Sequence, residues 1–442
     1  MKPILIILTL LSSFGIQTLY ATNNSDVWIV TADMENLGKL QFYMLSDQKS
    51  GQVLKSLPDR DQTILGKTKA TLFRWMQKRK NKDSMAVIEL KNNGRIDFLA
   101  MQMTIQDIDF QENDTIFGNI FDRNSKNKIG QLLAVKTSLN SNILSPLTNY
   151  TQIVDTVVSI TENKIYNPAL VQTKKWLSFV RQLQSKSKLI YDDLEFLLLF
   201  YAHVNQTGFS HYALLKTKPD LEQSINEPQI ECEVLQDSII YMKFKSLAGQ
   251  TEEIDSVFQQ YGSYPIVVID LRNTPGGKFD TTYRLAAYLA NKKCDAGIFV
   301  GRKYYENTIF RNNRDNFEIL QERDYDDFTA ILELKQAVKI SFEPQNPLHS
   351  KIYILTNQNT ASACEALVQG LKGLNNVCIV GERTAGAMLS PTVYEAGNHF
   401  YILVPTADYL TSEGKSIEGI GVQPDIKTKS GSALKTVLHS LK

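Results

Sequence analysis

The chain has 442 residues, with 48 basic and 47 acidic side chains and a net charge of +1. Hydrophobic residues make up 43% and charged residues 21%, an ordinary globular mixture that supports a large core over two or three domains. Nothing in that balance forces a basic face, so no nucleic-acid partner is expected. Short basic blocks such as QKRKNKDS (77–84) read as solvated loops, because no aromatics interleave them.

At the N-terminus, Lys2 precedes an apolar run over 4–11, and small and polar residues follow to Ala21. That is the pattern of a secretory signal peptide, predicted over 1–21. The run is too short for a comfortable membrane span, and no later stretch is a transmembrane candidate. The expectation is an exported protein, periplasmic or extracellular, with no stable membrane span after signal cleavage. Leu19 stands where a small residue is usual, so a retained anchor is the alternative. The four cysteines, Cys232, Cys294, Cys364 and Cys378, fit no metal-ligand spacing, and neither a metal nor another cofactor is expected. An oxidising compartment would permit disulfides, but a chain of this length does not require them.

In chain order, residues 22–145 read as a β-rich module. DVWIVTADM, KLQFYMLS, SMAVIEL and RIDFLAMQMTIQDIDF are rich in branched and aromatic residues, with the turn signal NNG at 92–94. No chemistry is legible in it. Residues 146–215 read as a helical subdomain, since apolar residues recur three and four apart in NYTQIVDTVVSITENKIY, ALVQTKKWLSFVRQLQ and IYDDLEFLLLFYAHV. Trp176 and Phe179 are expected in its core.

Residues 216–442 alternate strands and helices, which predicts an α/β core with a largely parallel sheet. PIVVIDL and KIYILT are continuous apolar strands of the kind buried on both faces. PTVYEAGNHFYILVPT reads as a hairpin turning at Gly397-Asn398.

Ser362, in TASACEALVQG (360–370), lies between a buried strand and a helix start. Ser and Thr are favoured helix caps, so on spacing alone this residue is a cap or a nucleophile. A nucleophile at this place would have the unpaired N–H groups and positive end of the helix beside it. The N–H of Ala363 could donate to an oxyanion, and a second donor could come from LRNTPGG (271–277), at Gly276 or Gly277. Both loops follow strands, and loops at the carboxyl ends of parallel strands gather in one crevice.

PIVVIDLRNTPGG, IYILTNQNTASACEALVQGLKG, IVGERTAG and SIEGIGVQPDI occur in this order. Together they resemble the tail-specific, or C-terminal-processing, serine peptidase family, over roughly residues 145–440. That resemblance implies a spiral α/β core of the Clp-protease/crotonase kind and makes Ser362 the nucleophile. The serine–lysine branch of the family carries its lysine directly after the GE-x-T-x-G element. Here that element is GERTAG and Ala387 follows, so the simple dyad is absent. Nor is there room between Lys216 and Gln229 for the PDZ insert usual in that branch.

The branch that includes the tricorn core and the interphotoreceptor retinoid-binding modules uses a histidine, a neighbouring serine and a C-terminal glutamate. TGFSHYALL (207–215) supplies His211 and Ser210, and SIEGIGVQPD supplies Glu418. The implied roles are general base for His211 and orienter for Glu418, directly or through Ser210. Lys415 is a rival base in the same loop, and His203 reads as structural. The resulting expectation is a secreted serine peptidase acting on peptide or protein substrates, with the oligomeric state open. The alternative is a catalytically silent protein that binds peptides or small apolar ligands on the same fold.

Overall fold

A computed structural model describes residues 26–441 apart from 35–37, 48–52, 57–88, 91–95, 99–102, 112–113, 123–125, 141–143, 220–224, 226 and 321–327. The signal-peptide stretch, the 77–84 block, the NNG turn and most of SMAVIEL lie outside the described residues. Among the described residues, no helix is long and apolar enough to cross a membrane.

Residues 26–140 form an eight-stranded antiparallel sheet. Alternate residues of Asp26–Met34 and Gly38–Asp47, among them Val30, Ala32, Phe42 and Met44, are buried on one face. This alternation is the period-2 pattern of a sheet with one face on a core. That face packs on the helices Tyr150–Lys164, Lys174–Ser187 and Asp193–His203. All three helices begin with side-chain caps: Asn149 accepts from the Gln152 N–H, Thr173 from the Trp176 N–H and Asp192 from the Glu195 N–H. Trp176 and Phe179 are fully buried there, as their spacing predicted.

The rest of the chain carries two further six-stranded sheets. One runs in the order Ile230–Gln236, Ile239–Phe244, Ile266–Asp270, Lys351–Thr356, Val377–Gly381 and Ile426–Lys427, and is parallel from its second strand onward. Val267, Ile269, Ile352 and Ile354 face one core with the helices Thr251–Tyr261, Phe279–Leu289 and Ala363–Leu371. Val268, Tyr353 and Leu355 face the other way, against the helix Ala433–Ser440. Burial on both faces is the physical reason these strands read as unbroken apolar runs.

The other sheet is built round the strand Phe400–Leu410. That strand pairs antiparallel with Ser390–Gly397 and with Cys294–Gly301. Through Tyr401, Ile402 and Leu403 it also pairs with the short strand Ala213–Leu215. The hairpin turns at Gly397, Asn398 and His399, all with positive φ, as the sequence predicted for Gly397-Asn398. Its Ala396, Phe400, Ile402 and Val404 complete the core under the helices. The mixed α/β class expected from the sequence is the observed one.

Candidate active site

Three neighbouring parallel strands end on one side of the core sheet, and their following loops are tied together. Ile266–Asp270 leads into the glycine loop, Lys351–Thr356 into the Ser362 loop, and Val377–Gly381 into the 382–389 segment. The Ala361 N–H donates to the Thr274 carbonyl (3.1 Å) and the Ala385 N–H to the Thr360 carbonyl (2.9 Å). Asn273 N–H donates to Asn357 Oδ1 (3.0 Å), and Asn357 Nδ2 returns a bond to Asn273 Oδ1 (3.0 Å). At the base of the glycine loop, Asp270 accepts from the backbone and the guanidinium of Arg272, and Arg272 Nη1 donates to the Ser430 carbonyl (2.6 Å).

Ser362 stands at the N-cap of the helix Ala363–Leu371, with φ 55° and ψ −130°. An ordinary N-cap has β-region angles. A positive φ on a residue with a Cβ is strained and persists only where the surroundings over-determine it. Here they do. The Ser362 N–H is shared between the Ala387 carbonyl (3.1 Å) and Glu365 Oε2 (3.2 Å), and the Glu365 N–H donates to the Ser362 carbonyl (2.7 Å). The fully buried Glu365 carboxylate also accepts from Thr384 Oγ1 (2.6 Å), Gly386 N–H (2.7 Å) and Ala387 N–H (2.7 Å). Burial pushes its pKa up, and those donors oppose the shift.

Gly276 and Gly277 have φ of 101° and 156°, and Gly276 packs directly against this serine. A Cβ at Gly276 would stand 2.7 Å from Ser362 Cβ and 3.1 Å from the Ala363 nitrogen, so the approach requires glycine. The Gly276 N–H serves the buried Cys364 thiol, whose pKa burial raises. Gly276 is buried and Gly277 exposed. Of the two candidate donors, Gly277 is thus the one whose surface faces solvent.

Ser210, His211 and Glu418 meet beside it. Ser210 Oγ lies 3.0 Å from His211 Nδ1 and donates to Glu418 Oε2 at 3.1 Å, while the Ser210 N–H donates to Glu418 Oε1 at 3.0 Å. One hydroxyl proton cannot serve both neighbours. With Ser210 Oγ donating to the carboxylate, it accepts from Nδ1–H, which leaves Nε2 as the ring's acceptor. Burial lowers the His211 pKa to about 4, so the ring is neutral at pH 7. Burial raises the Glu418 pKa, against the bonds from Met388 N–H and Ser210.

The segment 386–388 joins this group to Ser362. Ala387 accepts from the Ser362 N–H, and the next residue, Met388, donates its N–H to Glu418 Oε2 (2.9 Å). Among the described residues, no hydrogen bond joins the Ser362 hydroxyl to the His211 ring; apo sites often tighten only when substrate binds.

Of the alternatives the sequence left open, Glu418 reaches His211 through Ser210. Lys415 pairs with Glu413 (2.6 Å) with most of its side chain exposed, away from this group. His203 contacts Lys186 Nζ (3.0 Å) on the helical layer. Sequence reasoning missed the backbone of Ala387 and Met388, for which side-chain patterns carry no signal. It also missed a chain behind Glu418, in which Tyr305 and Ser416 donate to the buried Asp408 and the Glu418 N–H donates to Ser416 Oγ.

The profile of Peptidase family S41 matches residues 238–428. A protein of Staphylococcus epidermidis named "Probable CtpA-like serine protease" is 26% identical over 162 residues, 36% of this chain and 27% of that protein. The "C-terminal processing peptidase, chloroplastic" of Tetradesmus obliquus is 30% identical over 161 residues, 36% of this chain and 28% of that protein. The chain thus aligns with under a third of the length of these relatives. Among solved structures, a lipoprotein from Streptococcus agalactiae superposes with a TM-score of 0.46 at 17% identity, over 69% of this chain and 99% of that one. Over residues 238–428, the chain is thus similar to peptidase family S41 and to C-terminal-processing peptidases.

Proposed function

We propose that the protein is an exported serine peptidase that cleaves peptide bonds through an acyl-enzyme. Ser362 Oγ attacks the scissile carbonyl as His211 Nε2 takes its proton. The developing imidazolium is stabilised through Ser210 by the Glu418 carboxylate. The N–H groups of Ala363 and Gly277 hold the oxyanion, and Gly276 provides the close approach that brings them over Ser362. His211 then returns the proton to the leaving amine, and water, activated by the same imidazole, releases the acid product. The observation that carries this reading is the His211–Ser210–Glu418 relay, one backbone residue removed from the strained Ser362.

The core over 216–442 supplies nucleophile, oxyanion donors and carboxylate, and the helical layer over 146–215 supplies the base. Substrate binds as an extended strand along Ser390–Gly397, which begins two residues after Met388 and lies at the edge of its sheet. A proline at Tyr394 that leaves peptide affinity unchanged would count against strand addition.

The test is labelling of the purified protein by a fluorophosphonate probe, with the modified peptide mapped and Ser362→Ala as control. Label on Ser362 supports an activated serine. A folded protein that takes no label and cleaves no peptide would instead support the silent binding protein.

A further inference from the structure

No chemistry is legible in the sequence of the eight-stranded sheet, yet its second strand reaches the helical layer that holds the proposed base. Asp193 and Asp192, both buried, begin the helix Asp193–His203 and face that strand. Asp193 Oδ2 accepts from the Gln41 N–H (3.0 Å) and pairs with Lys216 Nζ (3.1 Å), while Asp192 Oδ2 accepts from the Tyr43 N–H (3.2 Å). Lys216 is itself buried, and its Nζ also donates to the Asn398 carbonyl (2.9 Å) at the hairpin tip. A Cβ on Gly38 would lie 2.7 Å from Thr217 Cβ and 2.9 Å from the Lys216 carbonyl oxygen, so the sheet touches the chain here without a gap.

Lys216 directly follows Ala213–Leu215, the three-residue strand that anchors the Ser210–His211 loop to the hairpin. His211 has φ 54°, another strained residue that its surroundings must hold. A strand this short offers few ladder bonds with which to hold such a loop.

We propose that the N-terminal sheet is an intramolecular brace: by engaging Asp192, Asp193 and Lys216 it fixes the strand after His211, and so sets the position of the base relative to Ser362. Lys216 and Gly38 are positioning residues and touch no reacting atom. The proposal rests on the peptidase reading for its catalytic consequence, though the brace itself can be tested without it.

The experiment compares the full-length protein with Lys216→Met and Gly38→Ala. The rate of fluorophosphonate labelling at Ser362, kcat and KM on a peptide substrate, and amide hydrogen exchange over 210–215 are measured well below the melting temperature. Displacing a catalytic group by about 1 Å can cost about 100-fold in rate. The expected result is a labelling rate and kcat lowered by about tenfold or more, KM changed by less than about twofold, and faster exchange over 210–215. Gly38→Ala removes no charged partner, so it keeps the test decisive if Lys216→Met fails to fold. Parental labelling, kcat and exchange in folded variants would overturn the brace. If the parent takes no label, the peptidase reading fails, and the exchange arm still decides the brace: unchanged exchange in Gly38→Ala overturns it.

Discussion

The antiparallel N-terminal sheet and the parallel core sheet are built from similar branched and aromatic residues, but the candidate site gathers at the parallel one. In the antiparallel sheet, successive strands run in opposite directions, so loops that follow in sequence are sent to opposite ends. In the parallel sheet, the carboxyl ends of Ile266–Asp270, Lys351–Thr356 and Val377–Gly381 lie side by side. Gly276, Ser362 and Ala387 therefore arrive within contact of one another. Strand direction, more than composition, decides which sheet can hold a site.

The largest expected effect separates the two regions most sharply. Ser362→Ala should lower kcat by about five to six orders of magnitude, read by peptide cleavage with an unchanged circular dichroism spectrum; cleavage within about tenfold of the parent would refute Ser362 as nucleophile. Glu418→Gln keeps the shape of the relay and removes its charge. It should lower kcat by about 10³–10⁴, with a smaller effect on KM, and an equal rise in KM with constant kcat would assign Glu418 to substrate binding instead.

Stability sharpens the comparison next. Ile354→Ala, in a strand buried on both faces, should destabilise by about 2–5 kcal/mol in urea unfolding. Val135→Thr, on the open face of the antiparallel sheet and 41% exposed, should change stability by no more than about 0.5 kcal/mol. Similar losses at both positions would mean that the open face is covered.

The smallest effect concerns pH. His211 and His203 both have pKa values lowered to about 4 by burial, below the ordinary 6.5. Between those values the unfolded chain binds more protons than the folded one, so stability rises with pH across that window and is lost as pH falls through it. His203→Gln should flatten the melting temperature against pH between about 4 and 6.5, and should leave the acid limb of kcat/KM in place. Loss of that limb in the His203 variant would deny His211 the role of base.

Much of the candidate site was legible because its side chains sit in short motifs that, taken together in order, resemble a known peptidase family. A serine before an apolar helix, a glycine pair after an apolar strand and a serine–histidine pair in a glycine-containing turn each leave a mark in the sequence. What lay beyond reach was carried by backbone atoms. Ala387 has no side-chain chemistry, yet its carbonyl and N–H hold Ser362 and Glu365, and Met388 acts on Glu418 through its N–H alone. The role of Glu365 was likewise hidden, because donors converging on it from the Ser362 turn and from the 384–387 segment cannot be read from one helix position.

By itself the sequence determined the order of the elements and the two-sided burial of the core strands, since periodicity is a property of neighbours in the chain, and its resemblance to a peptidase family supplied Ser362, His211, Ser210 and Glu418 as candidates. Only the tertiary structure decided that Glu418 reaches His211 through Ser210, that Gly276 rather than Gly277 lies against Ser362 Cβ, and that the N-terminal sheet touches Lys216. Those contacts join residues up to 208 positions apart, and they are set by packing, strand direction and backbone hydrogen bonds that no local pattern encodes.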